Sequence, residues 1–417
     1  ILDGTYNITA SIHIPKNNVS LRGNGNATIL KRKYDSTNTD SGHTAKGLIT
    51  LNGKSGCKIQ GLQIDGNKSE HTSEYNCGIY LSSSSNNTVT GNICNNNSSD
   101  GIDLDSSSNN TITGNTCNNN KFGIYLASSS NNTVTGNTCN DNNSDGIFLY
   151  TSSNNNTVTG NTCTNNSTGI ELSSSSETTI TGNTCNNNIH SGILLYSSSN
   201  NTITGNTYTY NNYGIGITNY SSNNTVTGNT CNNNNSNGIF LSSSSNDNTI
   251  TSNTCDNNNS NGICLSSSSG NKVTGNTCNN NNYYGIFLYS SSNNNTVTGN
   301  ICNNNSSGID LYLSSNNNTI TGNACNNNNV YGIRLQSSSN NTITGNTCYH
   351  NSSGIYLQSS SNNTVTDNTC IRGTGQIDDY TSTQYTILLF DSSNNYNLIS
   401  SNNCMGKAVE IGGGTGN

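Results

Sequence analysis

Tryptophan is absent, proline and methionine occur once each, and only 8% of the residues are charged. Hydrophobic residues are also scarce, at 28% of a chain of 417 residues. A chain of this length ordinarily builds two or three globular domains, but so little apolar material cannot fill their cores. The shortage of charge argues against the highly charged type of disorder. A formal net charge of −7 leaves no basic footprint for nucleic acid. No apolar run is long enough to cross a membrane. Apolar residues do not recur at i, i+3, i+4 and i+7, so amphipathic helices are excluded too.

What remains is Asn, Ser, Thr and Gly in a strict period. The unit reads Gly-Ile-x-Leu, then a Ser/Asn turn, then Thr-Val/Ile-Thr-Gly-Asn-Thr-Cys, and it returns every 22 to 24 residues. Short runs that alternate apolar and polar residues between turn formers are strands. Each coil therefore has a Gly-Ile-x-Leu strand, a Thr-Val/Ile-Thr strand and a short third strand carrying Cys, with the aliphatic residues inward. One coil cannot bury its own apolar face, so the coils must stack. The expected fold is all-β, a single right-handed parallel β-helix of about 23 residues per coil. Three segments are expected: irregular coils at 1–77, regular repeats at 78–370, and interrupted coils at 371–417 with no helical cap. Stacking puts like over like. Asn92, Asn115, Asn137, Asn161, Asn183, Asn206, Asn229, Asn253, Asn276, Asn300, Asn323, Asn346 and Asn368 are expected to form a ladder of side-chain amides.

The segment Gly78-Ile79-Tyr80-Leu81 through Thr88-Val89-Thr90-Gly91-Asn92 resembles the right-handed parallel β-helix repeat family. That family includes periplasmic copper-binding and archaeal disaggregatase-like surface proteins. The resemblance runs over roughly 78–370. The opening, from Asp3-Gly4-Thr5-Tyr6 to Leu21-Arg22-Gly23, is similar to the first coils of pectate-lyase-type β-helices. The resemblance implies the fold and leaves function open, since lyases, epimerases, hydrolases, adhesins and fibres all use it.

Cysteine occupies one register at Cys94, Cys117, Cys139, Cys163, Cys185, Cys231, Cys255, Cys278, Cys302, Cys325, Cys348 and Cys370, with Tyr208 in one coil and Cys404 rejoining the row. The coil spacing falls within the Cα separation that a disulfide accepts. Staples between adjacent coils are the favoured expectation. Reduced thiols packed as small core hydrophobes and a soft-metal thiolate row are the alternatives, the last without any Cys-x-x-Cys pair or clustered His behind it.

The x of Gly-Ile-x-Leu and the residue two places on are expected to face solvent. Tyr80, Tyr125, Phe148, Tyr150, Tyr196, Phe240, Cys264, Phe287, Tyr289 and Tyr356 lie at these positions. An exposed aromatic row reads as an interaction surface, and Cys264 as an outward thiol open to an intermolecular bridge. The one dense acidic group is Asp100, Asp103 and Asp105, expected to be a solvated strand, with calcium or a sugar as the alternative. Asn38-Thr39-Asp40 and Asp378-Asp379 are similar to fragments of the polygalacturonase pattern but lie many coils apart. His13, His43, His71, His190 and His350 are scattered.

The expected function is therefore structural: an extracellular, cell-surface protein, not an enzyme, without metal or cofactor. It would assemble with copies of itself into a sheath, S-layer or fibre, with cell-surface glycans as further partners. By resemblance, methanogen sheath proteins are the nearest analogy and an archaeal source is implied. The alternative is an extracellular polysaccharide lyase, epimerase or hydrolase of the disaggregatase type, or a carbohydrate-binding adhesin. Sixteen cysteines and many Asn-x-Ser/Thr sequons are in keeping with a secreted glycoprotein, and the start at Ile1 reads as a mature or trimmed chain.

Overall fold

The computed structural model describes residues 1–36, 46–372, 385–406, 410–412 and 414–417. The fold is an all-β, right-handed parallel β-helix of about 16 turns with about 23 residues per turn. Two compact units, Ile1–Thr207 and Tyr208–Asn417, divide the chain.

In the first unit the Gly-Ile-x-Leu strands pair parallel and in register. Ile124–Ala127 sits against Ile147–Tyr150, with Ile124 opposite Ile147 and Leu126 opposite Leu149. Thr133–Thr135 pairs with Thr157–Thr159, with Val134 opposite Val158. These aliphatic residues are fully buried. The third strand reaches full strand geometry at Thr162–Thr164 and Thr184–Asn186. It does so at Ile93–Asn95 as well, and in other coils it shrinks to a single bridge, such as Thr116 to Thr138. The earliest coils are less regular. Ser20–Arg32 pairs with Lys58–Asp65 through two register shifts around Gly25.

The second unit repeats the pattern. Ile263–Ser266 pairs with Tyr284–Tyr289, and Lys272–Thr274 with Thr296–Thr298. Most regular coils carry two glycines for different reasons. The glycine that ends Thr-Val/Ile-Thr-Gly lies in the left-handed region, as at Gly114 with φ 63°. The glycine that opens Gly-Ile-x-Leu has no room: a Cβ on Gly101 would stand 2.6 Å from the Gly123 carbonyl oxygen.

Apolar columns cannot satisfy the bends between strands, and asparagine does that. The Asn115 side-chain oxygen accepts from the Asn92 backbone N–H at 3.0 Å and from its Nδ2 at 3.1 Å. Asn115 Nδ2 donates to the Val89 carbonyl at 2.9 Å and to Asn137 Oδ1 at 3.0 Å. Two further Asn columns do the same, one through Asn87 and Asn110, the other through Asn97 and Asn120. A serine column joins them, with Ser107 Oγ donating to the Leu81 carbonyl at 3.0 Å. The sequence reading found one of the three Asn columns. The other two, and the serines, carry the same period and were legible by the same count.

The cysteine row also points inward. Cys163 lies opposite Cys185 and Cys348 opposite Cys370. None of the sixteen cysteines is disulfide-bonded. The favoured expectation of staples is corrected to a row of buried thiols, hydrogen-bonded along the stack where Cys117 meets Cys139 and Cys139 meets Cys163. Parallel strands project their side chains side by side into the core, and each thiol meets an equivalent neighbour on either side. Burial pushes these thiols well above the ordinary range.

Two outcomes follow. Asn276 is fully buried, and its amide serves Asn253, Ile250 and Asn300. Asn276→Ala should cost about 3 kcal/mol in chemical denaturation, because it leaves several buried groups unpaired. Asn259→Ala, at an exposed turn position, should stay within about 0.5 kcal/mol. In a thiol titration without reductant, the native protein should react at the partly exposed Cys404 first, and all sixteen should react once it is denatured. A shortfall in denaturant would mean that disulfides are present.

Candidate active site

The x positions stack in register but are not open to solvent. Tyr80 is fully buried, and Cys264 and Tyr356 nearly so. Tyr125, Phe148, Phe240, Phe287 and Tyr289 are half-buried. Of the proposed interface residues only Tyr150 and Tyr196 count as exposed, at 44% and 45%. The expectation of an exposed row is therefore corrected. The cause is the residue just before each glycine, whose side chain folds over the x column. Phe122 packs on Tyr125 at 5.3 Å, Tyr213 on Phe240 at 5.1 Å, Tyr284 on Phe287 at 4.6 Å and Tyr331 on Tyr356 at 4.5 Å. Cys264 is held between Phe240 and Phe287. Burial pushes its thiol up to about 12, so it is not an outward thiol.

In the first unit the same geometry gathers carboxylates. Asp103 is at x, opposite Tyr80 and Tyr125. Asp100 is the residue before Gly101, and Cys77 holds the equivalent place one coil earlier. The Cys77 thiol donates toward Asp103 Oδ2 at 3.5 Å and Asp100 Oδ2 at 3.7 Å. Asp100 and Asp103 are 5% and 4% exposed, and Oδ1 of each has no hydrogen-bond partner. The expected solvated strand is thus a buried carboxyl pair. Only Asp105 remains at the edge, accepting from the Tyr80 hydroxyl at 3.2 Å.

The pair opens on a cavity of about 330 Å³, also lined by Lys46, Tyr75, Lys121, Phe122 and Tyr125. Lys46 Nζ lies 5.3 Å from the Tyr80 ring centre, and Lys121 Nζ 5.4 Å from that of Phe122. The wall is held from behind by Arg32, fully buried, which donates to the Cys77 carbonyl at 2.6 Å and to Asn76 Oδ1 at 3.2 Å. Cys77, Lys46 and Lys121 were missed from the sequence. Cys77 had a legible signal, since it shares the register of Asp100 and Phe122. Lys46 had none, because it belongs to the irregular coils.

Burial raises Asp100 to about 6, with Lys121 and Lys46 opposing it. Burial raises Asp103 well above the carboxylate range, and the charge of Asp100 adds to that. Further along, Asp145 is pushed up to about 7 by burial and by Glu171. In the second unit Asp310, fully buried, is raised to about 6 even beside Arg334. Asn38-Thr39-Asp40, His43 and Asp378-Asp379 lie outside the described residues. His13, His71, His190 and His350 take no part in this site. Among the described residues no helix is long and apolar enough to cross a membrane.

Comparison with known proteins matches the family model for a periplasmic copper-binding protein (NosD) over residues 10–190, 97–237 and 312–412. A right-handed β-helix region matches over 168–324. No curated protein matches. Among solved structures, the mannuronan C-5 epimerase AlgE6 A-module of Azotobacter vinelandii aligns at 15% identity and TM-score 0.45, over 83% of this chain and 88% of that one. The periplasmic alginate epimerase AlgG aligns at 14% and 0.43, over 88% and 79%. Tailspike protein 3 of bacteriophage CBA120 aligns at 14% and 0.47, over 85% and 53%.

Copper does not suit the residues present. It is taken by imidazole or by clustered soft sulfur. Among the described residues, the set of three ligating side chains with donor atoms within 4.8 Å of one another is Cys77, Asp100 and Asp103. That is one sulfur, two carboxylates and no histidine, and the other inward thiols are sealed in the core. The expectation that the chain is not an enzyme is also corrected. It rested on an unbroken repeat, but the repeat breaks at Cys77, Asp100 and Asp103, where two buried carboxyls with unpartnered oxygens line a cavity.

Carboxyls raised in the folded state bind more protons there than in the unfolded chain. Their contribution is fully present below the unfolded carboxyl value near 4 and is lost as pH rises through about 6 to 7. The unfolding midpoint should therefore be several degrees higher at pH 4.5 than at pH 8. Asp145→Asn should flatten that slope by raising the midpoint at pH 8 alone, as differential scanning calorimetry would read.

Proposed function

The chain belongs to the NosD family of right-handed β-helix proteins, and within that family we propose that it is a periplasmic or extracellular protein that processes acidic polysaccharide at the Asp100–Asp103 cavity. The observation that carries this reading is the carboxyl pair itself. Two buried acids with unpartnered oxygens face a cavity of sugar-accommodating size, bordered by two lysines and by aromatic rings. Aromatic faces suit the apolar faces of sugar rings, and Lys46 and Lys121 supply charge for a sugar carboxylate.

The chemistry follows from the pair's electrostatics. Two carboxyls this close do not both ionise readily. Near neutral pH one is an acid and the other a base, the condition for general acid–base work. One oxygen of each lies within 4.8 Å of the other. That is short of the roughly 6.5–9.5 Å that inverting hydrolysis needs to admit a water between the carboxyls. Retaining hydrolysis accepts a spacing of roughly 5 Å, so the choice rests on Lys46 and Lys121, which would neutralise a sugar carboxylate and favour proton transfer at the carbon beside it, leading to epimerisation or β-elimination. The self-assembling sheath rested in part on an exposed aromatic row, and that row is largely covered.

Polyuronates and neutral glucans should be incubated with the protein in D2O. Proton NMR would follow exchange at the ring carbon, and ultraviolet absorbance would follow unsaturated products. Turnover is expected on a polyuronate alone, and Asp103→Asn should lower it by about 10²-fold or more with the unfolding midpoint retained. Absence of exchange and of product on every polyuronate would sink the proposal.

A further inference from the structure

The outward face of the second unit carries a different arrangement. Three columns run side by side over successive coils. The x column reads Phe287, Asp310, Arg334, and the column two residues on reads Tyr289, Tyr312, Gln336. Tyr284, Ser307 and Tyr331 form the column before the glycines. Arg334 lies at the centre. Its Nε donates to Asp310 Oδ2 at 2.6 Å and its Nη2 to the Tyr284 hydroxyl at 3.3 Å. The guanidinium carbon stands 5.8, 5.9 and 5.7 Å from the ring centres of Tyr284, Tyr312 and Tyr331.

A guanidinium offers five N–H donors. Asp310 and Tyr284 engage two of them, and Nη1 makes no hydrogen bond among the described residues. The Arg334 side chain is 20% exposed, while that of Asp310 is wholly buried. Asp310 therefore acts as a positioning residue. It holds the guanidinium plane from below and leaves the outer edge free. From Tyr312, beside the guanidinium, a continuous run of rings leads through Tyr289 to Phe287, 5.9 and 5.4 Å between centres and inclined by 19° and 28°. A charged fork that recognises planar carboxylates, set beside near-parallel rings, is complementary to an acidic sugar.

We propose that Arg334, framed by Tyr284, Tyr312 and Tyr331 and flanked by Phe287 and Tyr289, is a second glycan-binding site that takes one carboxylate-bearing sugar of an acidic polysaccharide. The substrate class is that of the proposed function, on which this inference rests. The free Nη1 edge pairs with the sugar carboxylate, and the rings of Phe287, Tyr289 and Tyr312 lie against the sugar face. The site holds chain and does no chemistry, since the Asp310 carboxyl is sealed beneath Arg334.

Calorimetric titration of the full chain with a defined polyuronate hexasaccharide tests this, with a neutral glucan hexasaccharide as the comparison. An Asp103→Asn background keeps the hexasaccharide intact. Arg334→Gln should weaken polyuronate binding about tenfold or more, which is about 1.4 kcal/mol or more, and Arg334→Lys should restore part of it. Because Arg334→Gln unpairs a buried acid, Tyr312→Ala supplies a second variant that leaves the Arg334–Asp310 pair intact. It should weaken binding with the fold retained. Unchanged polyuronate affinity in both Arg334→Gln and Tyr312→Ala, or equal affinity for the neutral glucan in the parent, would overturn the site. Arg334-dependent binding in a protein that turns over no polyuronate would leave this site standing and remove the catalytic reading instead.

Discussion

The structure depends on the side-chain amide of asparagine meeting its own counterpart one coil away. A turn between short strands strands its backbone N–H and C=O groups inside the coil, where they are sealed from bulk solvent. The amide supplies a donor and an acceptor in one plane, at a spacing that matches the stack. Each Asn thereby satisfies the bend above it and the bend below. The apolar columns of Ile, Leu and Val keep water out, but it is the amides that make buried bends tolerable. This explains how a chain with 28% hydrophobic residues folds at all.

The same uniformity makes departures informative. Where each coil repeats the last, a carboxylate in the x column has been placed against the pattern. It is then clasped between neighbouring coils and the residue before the glycine. Asp103 and Asp310 share this position and differ in their company. Asp103 meets a second acid and a thiol, with no cation hydrogen-bonded to it among the described residues, and burial holds its carboxyl well above the ordinary range. Asp310 meets Arg334 and becomes the support of a cation. One structural register thus yields either a buried carboxyl pair or a carboxylate that supports a guanidinium.

The cysteine row shows how one position can be read correctly and its chemistry not. Its inward column followed from spacing alone. Register alone does not fix whether stacked thiols oxidise, and here each thiol stays free, the buried ones hydrogen-bonded to their neighbours where Cys117, Cys139 and Cys163 meet. Cys264 makes the same point on the other face. Alternation placed it outward, but it lies between Phe240 and Phe287 in the column and is buried.

Period and residue type were sufficient for the fold, the coil length, the inward aliphatic columns and the Asn column through Asn92 and Asn115, because in-register stacking converts sequence recurrence directly into contact. Asp100, Asp103 and Asp105 were visible as a group on the same grounds. Burial of that group, its union with Cys77, Lys46 and Lys121, the covering of the aromatic row, and the pairing of Arg334 with Asp310 were decided only in three dimensions. These depend on how far the side chain before each glycine swings across the neighbouring coil, and on an irregular opening segment whose register shifts no period encodes.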